Sequence, residues 1–272
     1  MNLLIENWAT IAALIATGIS AGLLAGLLGV GGGIVIVPVL YFLFQAFGVS
    51  PESAMLVATA TSLATIVPTS ISSMLAHRSR GNVDFVILKA WGLFILLGVL
   101  IGSWSVTKVN GQWLTILFGV IAILSALNML LGSKRSMFDS LPSKAGQYVM
   151  ATSVGLFSSL VGIGGGTLTL PMLTLCNYPA HKAVGTAATI GLIISLPAAI
   201  IMLVIGQTPI DAPLGTFGLV NIIGFICIVP LTVFFAPIGA NLASKLNAQR
   251  LKEVFAVVLM LTGVRMLAQL FF

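Results

Sequence analysis

Charge is the scarcest commodity in this 272-residue chain: Asp, Glu, Lys and Arg make up 7% of it and hydrophobic residues 58%, whereas ordinary soluble domains carry roughly 25% charged residues. A soluble fold has no way to bury that much apolar surface. There are six acidic residues, Glu6, Glu52, Asp84, Asp139, Asp211 and Glu253. Each stands at the end of an apolar run, which argues against a proton relay of buried carboxylates. The two cysteines, Cys176 and Cys227, lie inside apolar runs and read as buried thiols, not as a disulfide or metal pair. The two histidines, His77 and His181, sit beside Arg78 and Lys182 and read as interfacial side chains, not proton carriers. No metal-ligand spacing occurs, and no nucleophile, base and orienting group stand together, so neither an enzyme nor a cofactor or metal is expected. Basic residues interleaved with aromatics are also missing, so the formal charge of +6 does not point to nucleic acid.

What the chain does have is length without charge. Uncharged runs cover 7–51, 53–77, 90–107, 109–133, 145–181, 183–210 and 212–244, and 254–272 is broken only by Arg265. One crossing takes about 20 residues at about 1.5 Å each. Most runs fit one helix; 7–51 and 145–181 are too long and must turn back inside or across the membrane. The first helix, about 8–28, lacks a basic leader region and is expected to remain in the mature protein.

The chain repeats itself. GLLAGLLGVGGGIVIVP (22–38) aligns with GLFSSLVGIGGGTLTLP (155–171), with eight of 17 positions identical. VATATS (57–62) aligns with VGTAAT (184–189). The expected organisation is an N-terminal repeat 1–134, a cytoplasmic linker 135–144 and a C-terminal repeat 145–272. If each glycine run enters and leaves on one side, 10 of the 12 basic residues share a face, and the positive-inside bias makes that face cytoplasmic. Each half then crosses an odd number of times. The expected fold is an all-α polytopic membrane protein of two inverted repeats, each a glycine-broken helical hairpin followed by three transmembrane helices. Their symmetry axis should lie in the membrane plane and bring Gly32 near Gly165.

Gly29, Gly31, Gly32 and Gly33, echoed by Gly162, Gly164, Gly165 and Gly166, free the backbone from helical geometry. The helix restarting after each break, ahead of Pro38 or Pro171, directs free N–H groups and a positive dipole end at whatever lies there, which suits a small anion. The competing reading is close packing between membrane helices. Thr59 with Ser62, and Thr186 with Thr189, stand one turn apart on the helices that follow. They either complete an oxyanion shell or hold Na+, or they only bond their own helix. Arg265 is the single charge well inside a run, either facing the substrate or snorkelling to the surface.

The repeated G-x-G-G-G-x-x-x-x-P unit in two duplicated halves resembles the TauE/SafE family of membrane permeases, the sulfite exporter family, from about Gly18 to Leu267. That resemblance implies a secondary transporter moving sulfite, a sulfonate or another small organosulfur anion across the inner membrane. It marks both glycine sets with Pro38 and Pro171. The substrate's coupling ion, H+ or Na+, and the oligomeric state stay open. A passive anion channel lined by the same broken helices is the alternative.

Overall fold

The computed structural model describes residues 8–131, 138, 140–242 and 248–270. Residues 135–137 and 139 of the linker 135–144 thus lie outside the described residues. Ten helices are present among the described residues: α1 (Trp8–Leu28), α2 (Gly33–Ala46), α3 (Pro51–Arg78), α4 (Phe85–Val106), α5 (Gly111–Leu131), α6 (Lys144–Val161), α7 (Gly166–Leu175), α8 (Ala180–Val204), α9 (Ile222–Leu242) and α10 (Ala248–Ala268). The fold is all-α apart from a two-stranded hairpin, β1 (Thr216–Phe217) with β2 (Val220–Asn221), in the α8–α9 connection. Six helices, α1, α3, α4, α5, α8 and α9, are long and apolar enough to cross a membrane. The chain is a multi-pass membrane protein.

Local chemistry sets the boundaries. Ser50 caps α3 by accepting the Ser53 N–H, with Pro51 in the first turn, where its missing donor costs nothing. Asp84 caps α4 by accepting from the Val86 and Ile87 N–H groups. The two overlong runs break at their glycines, as expected. Gly29, Gly31 and Gly32 have φ of +66°, +75° and +81°, and Gly162 has +76°, values that other residues rarely adopt. The segments after the breaks are short. At about 1.5 Å per residue, the 14 residues of α2 and the 10 of α7 fall well short of a hydrocarbon core of about 30 Å. Each long run is therefore a hairpin with one abbreviated arm.

The helix pairings interchange when the two halves are exchanged. In the first half α1 packs on α9 of the second, and in the second half α6 packs on α4 of the first. The pair α3 and α8 lie against each other, as do α5 and α10. Small residues make these crossings possible: Gly22 faces the Thr232 backbone, Gly26 the Ala236 backbone and Gly239 the Leu23 backbone, while across the other pair Gly98 meets the Thr152 carbonyl and Gly155 that of Ile95.

The helices α3 and α8 run antiparallel. The α3–α4 loop meets the start of α8, where Gly185 abuts Asn82; the α8–α9 loop meets the start of α3, where Asp211 reaches Ser50 and Ser53.

Hydroxyls tie the framework together. From α3, Thr69 bonds Thr232 at 2.6 Å, Ser72 donates to the Val233 carbonyl at 2.8 Å and Ser73 to that of Ala25 at 3.0 Å. His77 departs from its expected interfacial position. It is 2% exposed, and its Nε2 donates to the Gly26 carbonyl at 2.8 Å, so it staples α3 to α1 just before the glycine break.

Candidate functional site

The two glycine breaks meet each other halfway along α3 and α8. A Cβ on Gly31 would lie 3.3 Å from the Gly164 Cα, one on Gly164 would overlap the Val30 carbonyl, and one on Gly166 would overlap that of Gly29. The expected approach of Gly32 to Gly165 is made one residue earlier, by Gly31 and Gly164. Gly32 turns instead toward Ala21, and Gly165 toward Ile190 and Gly191. Gly33 lies against the Gly162 carbonyl and the Ser62 hydroxyl. Close packing and backbone exposure are therefore one arrangement: the absent side chains let two unwound loops touch.

Neither restarting helix carries a side-chain cap. Gly32 precedes α2 and Gly165 precedes α7, each without a capping hydrogen bond. The positive ends of both dipoles are thus offered to the junction. Around it the sequence candidates divide. Ser62 is fully buried, and its Oγ donates to the Gly162 carbonyl at 2.7 Å, joining α3 to the second glycine loop. Thr59 has its backbone against Gly162, and its buried hydroxyl has no partner. A buried, unbonded hydroxyl costs about 1–3 kcal/mol, and fold stability alone gives no reason to keep it.

Thr186 and Thr189 are committed otherwise. Thr186 accepts the Asp84 N–H at 3.0 Å, and Thr189 donates to the carbonyl of Gly185 in its own helix at 3.2 Å. Arg265 is exposed and its guanidinium sits 4.3 Å from the centre of the Phe42 ring on α2, a cation–π contact.

Six further buried hydroxyls are without partners among the described residues: those of Tyr41, Ser70, Ser158, Thr167, Thr169 and Ser195, and Thr167 and Thr169 belong to the second restarting helix itself. Thr167 directly follows Gly166, and its counterpart in the first repeat is Ile34; Thr169 corresponds to Ile36. The aligned repeats differ there, Ile-Val-Ile-Val at 34–37 standing against Thr-Leu-Thr-Leu at 167–170. The junction is asymmetric as a result: oily after the first break, hydroxyl-bearing after the second.

Within the six candidate spans, charge is confined to the ends. Asp211 accepts the Ser53 hydroxyl at 2.5 Å and the Ser50 N–H at 2.8 Å, and these bonds, that of Ser53 first, draw its carboxyl down to about 2. An unfolded aspartate titrates near 3.9. A depressed native value means that the carboxylate supports the fold above about pH 4 and loses this role as the pH falls toward 2. Protection of the Ser50 amide from hydrogen exchange, corrected for intrinsic rate, is expected to hold from pH 7 to 4 and collapse toward pH 2; loss already by pH 5 would contradict the bond. At the other end, Asp84 accepts the Tyr178 hydroxyl, which is the main cause of its lowered pKa, while burial and then the Asp84 carboxylate push Tyr178 up.

A cavity of about 530 Å³ lies beside Asp211, lined also by Asn221, Gly224, Leu40, Phe44 and Leu14. Its walls come from α1, α2, α9 and the α8–α9 loop.

The sequence pattern of the family described as sulfite exporter TauE/SafE matches residues 14–266. A probable membrane transporter protein of Haemophilus influenzae is 29% identical over 92% of this chain and 95% of its own length. Another, YunE of Bacillus subtilis, is 28% identical over 93% and 96%, and one from Methanocaldococcus jannaschii is 27% identical over 93% and 94%. No solved structure matches the chain significantly.

Proposed function

Because the chain belongs to the sulfite exporter TauE/SafE family and is a membrane transporter, we propose that it is a secondary transporter of a small sulfur oxyanion or organosulfur anion, such as sulfite or a short sulfonate, across the inner membrane. The observation that carries this reading is the meeting of two uncapped, glycine-broken helix starts beside buried, unpartnered hydroxyls. Free N–H groups and hydroxyl donors suit an anion's oxygens. No acidic residue lies within the six candidate spans away from their ends, so nothing there repels negative charge.

In this reading the loops part to admit the anion and close around it. The hydroxyls of Thr59 and Thr167 take the oxygens, joined by that of Ser62 once the parting loops free it from the Gly162 carbonyl, and the helix starts at Gly32 and Gly165 balance the charge. The antiparallel course of α3 and α8 supports inverted repeats, a common basis for alternating access. The face bearing Arg78, Arg80 and Lys182 is the cytoplasmic one. No enzymatic step is assigned to these residues, and H+ or Na+ is the candidate coupling ion.

Reconstituted vesicles test the reading. Unlabelled sulfite or a short sulfonate inside should accelerate uptake of the labelled compound at least several-fold. Flux that is indifferent to the trans side would mark a passive anion channel and sink the carrier reading.

A further inference from the structure

Each long helix of the equivalent pair, α3 and α8, is met at its start by a carboxylate from the loop that follows the other one. At the start of α3, Asp211 accepts the N–H of the capping residue Ser50 and the hydroxyl of Ser53. At the start of α8, whose cap is Pro179, Asp84 accepts the hydroxyl of Tyr178, one residue earlier. Each loop adds a second bond deeper along the same helix. The Asn221 N–H donates to Thr61 at 2.8 Å, and the Asp84 N–H donates to Thr186 at 3.0 Å. Since α3 and α8 are antiparallel, the two fastenings lie at opposite ends of the protein.

We propose that Asp211 and Asp84 are the two gate latches of the transport cycle, one at each end, released in alternation to open the junction of the glycine loops to one side at a time. This rests on the carrier reading above. Three features support a latch over a mere surface contact. The bonds cross between the two repeats, so they must break if the repeats rock against each other. Each uses a carboxylate that accepts from neutral hydroxyl or N–H donors, bonds that water can replace when they open. Behind Asp211 the cavity of about 530 Å³ already stands open and has Asn221 in its wall. The bond from Asn221 to Thr61 ties this wall of the cavity to α3.

The test needs no substrate. In a background with Cys176→Ser and Cys227→Ser, a cysteine is placed at Ala54 or at Ala183. Both are fully buried and occupy equivalent places, their N–H groups donating to the carbonyls of Ser50 and Pro179. Purified protein in detergent presents both ends to a water-soluble maleimide. Asp211→Ala is expected to raise the labelling rate at position 54 about tenfold or more and to lower that at 183; Tyr178→Phe, which leaves Asp84 free to cap α4, should do the reverse. Ser53→Ala, removing one of the two bonds of Asp211, should reproduce the first pattern more weakly and guards against misfolding of Asp211→Ala. Rates that move together, or do not move, overturn the latches. Counterflow by the unmodified protein separates the two ideas: opposed labelling without counterflow leaves the latches standing and removes the carrier, whereas counterflow without opposed labelling removes only the latches.

Discussion

Gly164→Ala and Gly166→Ala, each adding a single methyl group, are expected to cut counterflow by about 10- to 100-fold and to lower the Tm. The methyl would overlap the Val30 carbonyl in the first variant and the Gly29 carbonyl in the second. Backbone in a hairpin tip cannot step aside as a flexible side chain does. Overpacking of this kind costs about 1–3 kcal/mol, and that energy falls on the state in which the loops touch. Gly92→Ala is the control, because a Cβ there meets nothing within 4 Å and helix propensity favours alanine by about 0.5–1 kcal/mol. Wild-type exchange and an unchanged Tm in the two tip variants would mean that the loops do not close on each other in the working protein.

Thr59→Val should separate function from stability in the opposite sense. Valine has the shape of threonine without the hydroxyl, and the Thr59 hydroxyl is buried with no partner. Its loss should raise the Tm, since an unsatisfied polar group costs about 1–3 kcal/mol, while exchange falls about 5- to 100-fold if that hydroxyl waits for an anion oxygen. Thr167→Val should behave alike. Ser62→Ala must lower the Tm, because it strips the Gly162 carbonyl of its donor at 2.7 Å. A gain in stability with full transport in both valine variants would remove these hydroxyls from the substrate's path.

Much of the architecture was legible because apolar length and glycine leave strong marks. A stretch such as 90–107 has few options other than to cross, and four glycines in five positions announce a break twice. The length of the arm after each break was not legible, because the uncharged runs continue to 51 and 181 and fit either a full crossing or a shorter arm; the structure ends these helices at Ala46 and Leu175. Partners across the fold were not legible. That Gly31 and not Gly32 meets the opposite loop depends on successive positive φ values, which set where each loop points. Thr186 and Thr59 occupy matching places in the repeats, yet Asp84 takes the first and nothing takes the second. His77 looked interfacial beside Arg78, whereas the carbonyl it serves, on Gly26, is 51 residues away in the chain.

The exchange of partners between halves has a consequence for how the protein is made. Helix α1 leaves the ribosome long before α9, whose surface covers its glycine stripe. At roughly 5–20 residues per second, it waits on the order of 10 s or more in the bilayer with Gly18, Gly22 and Gly26 uncovered. The nascent first half is an unfinished object throughout that interval. It needs either lipid or an insertion chaperone against the stripe, and a ribosome stalled before α9 should yield a fragment that quality-control proteases clear quickly.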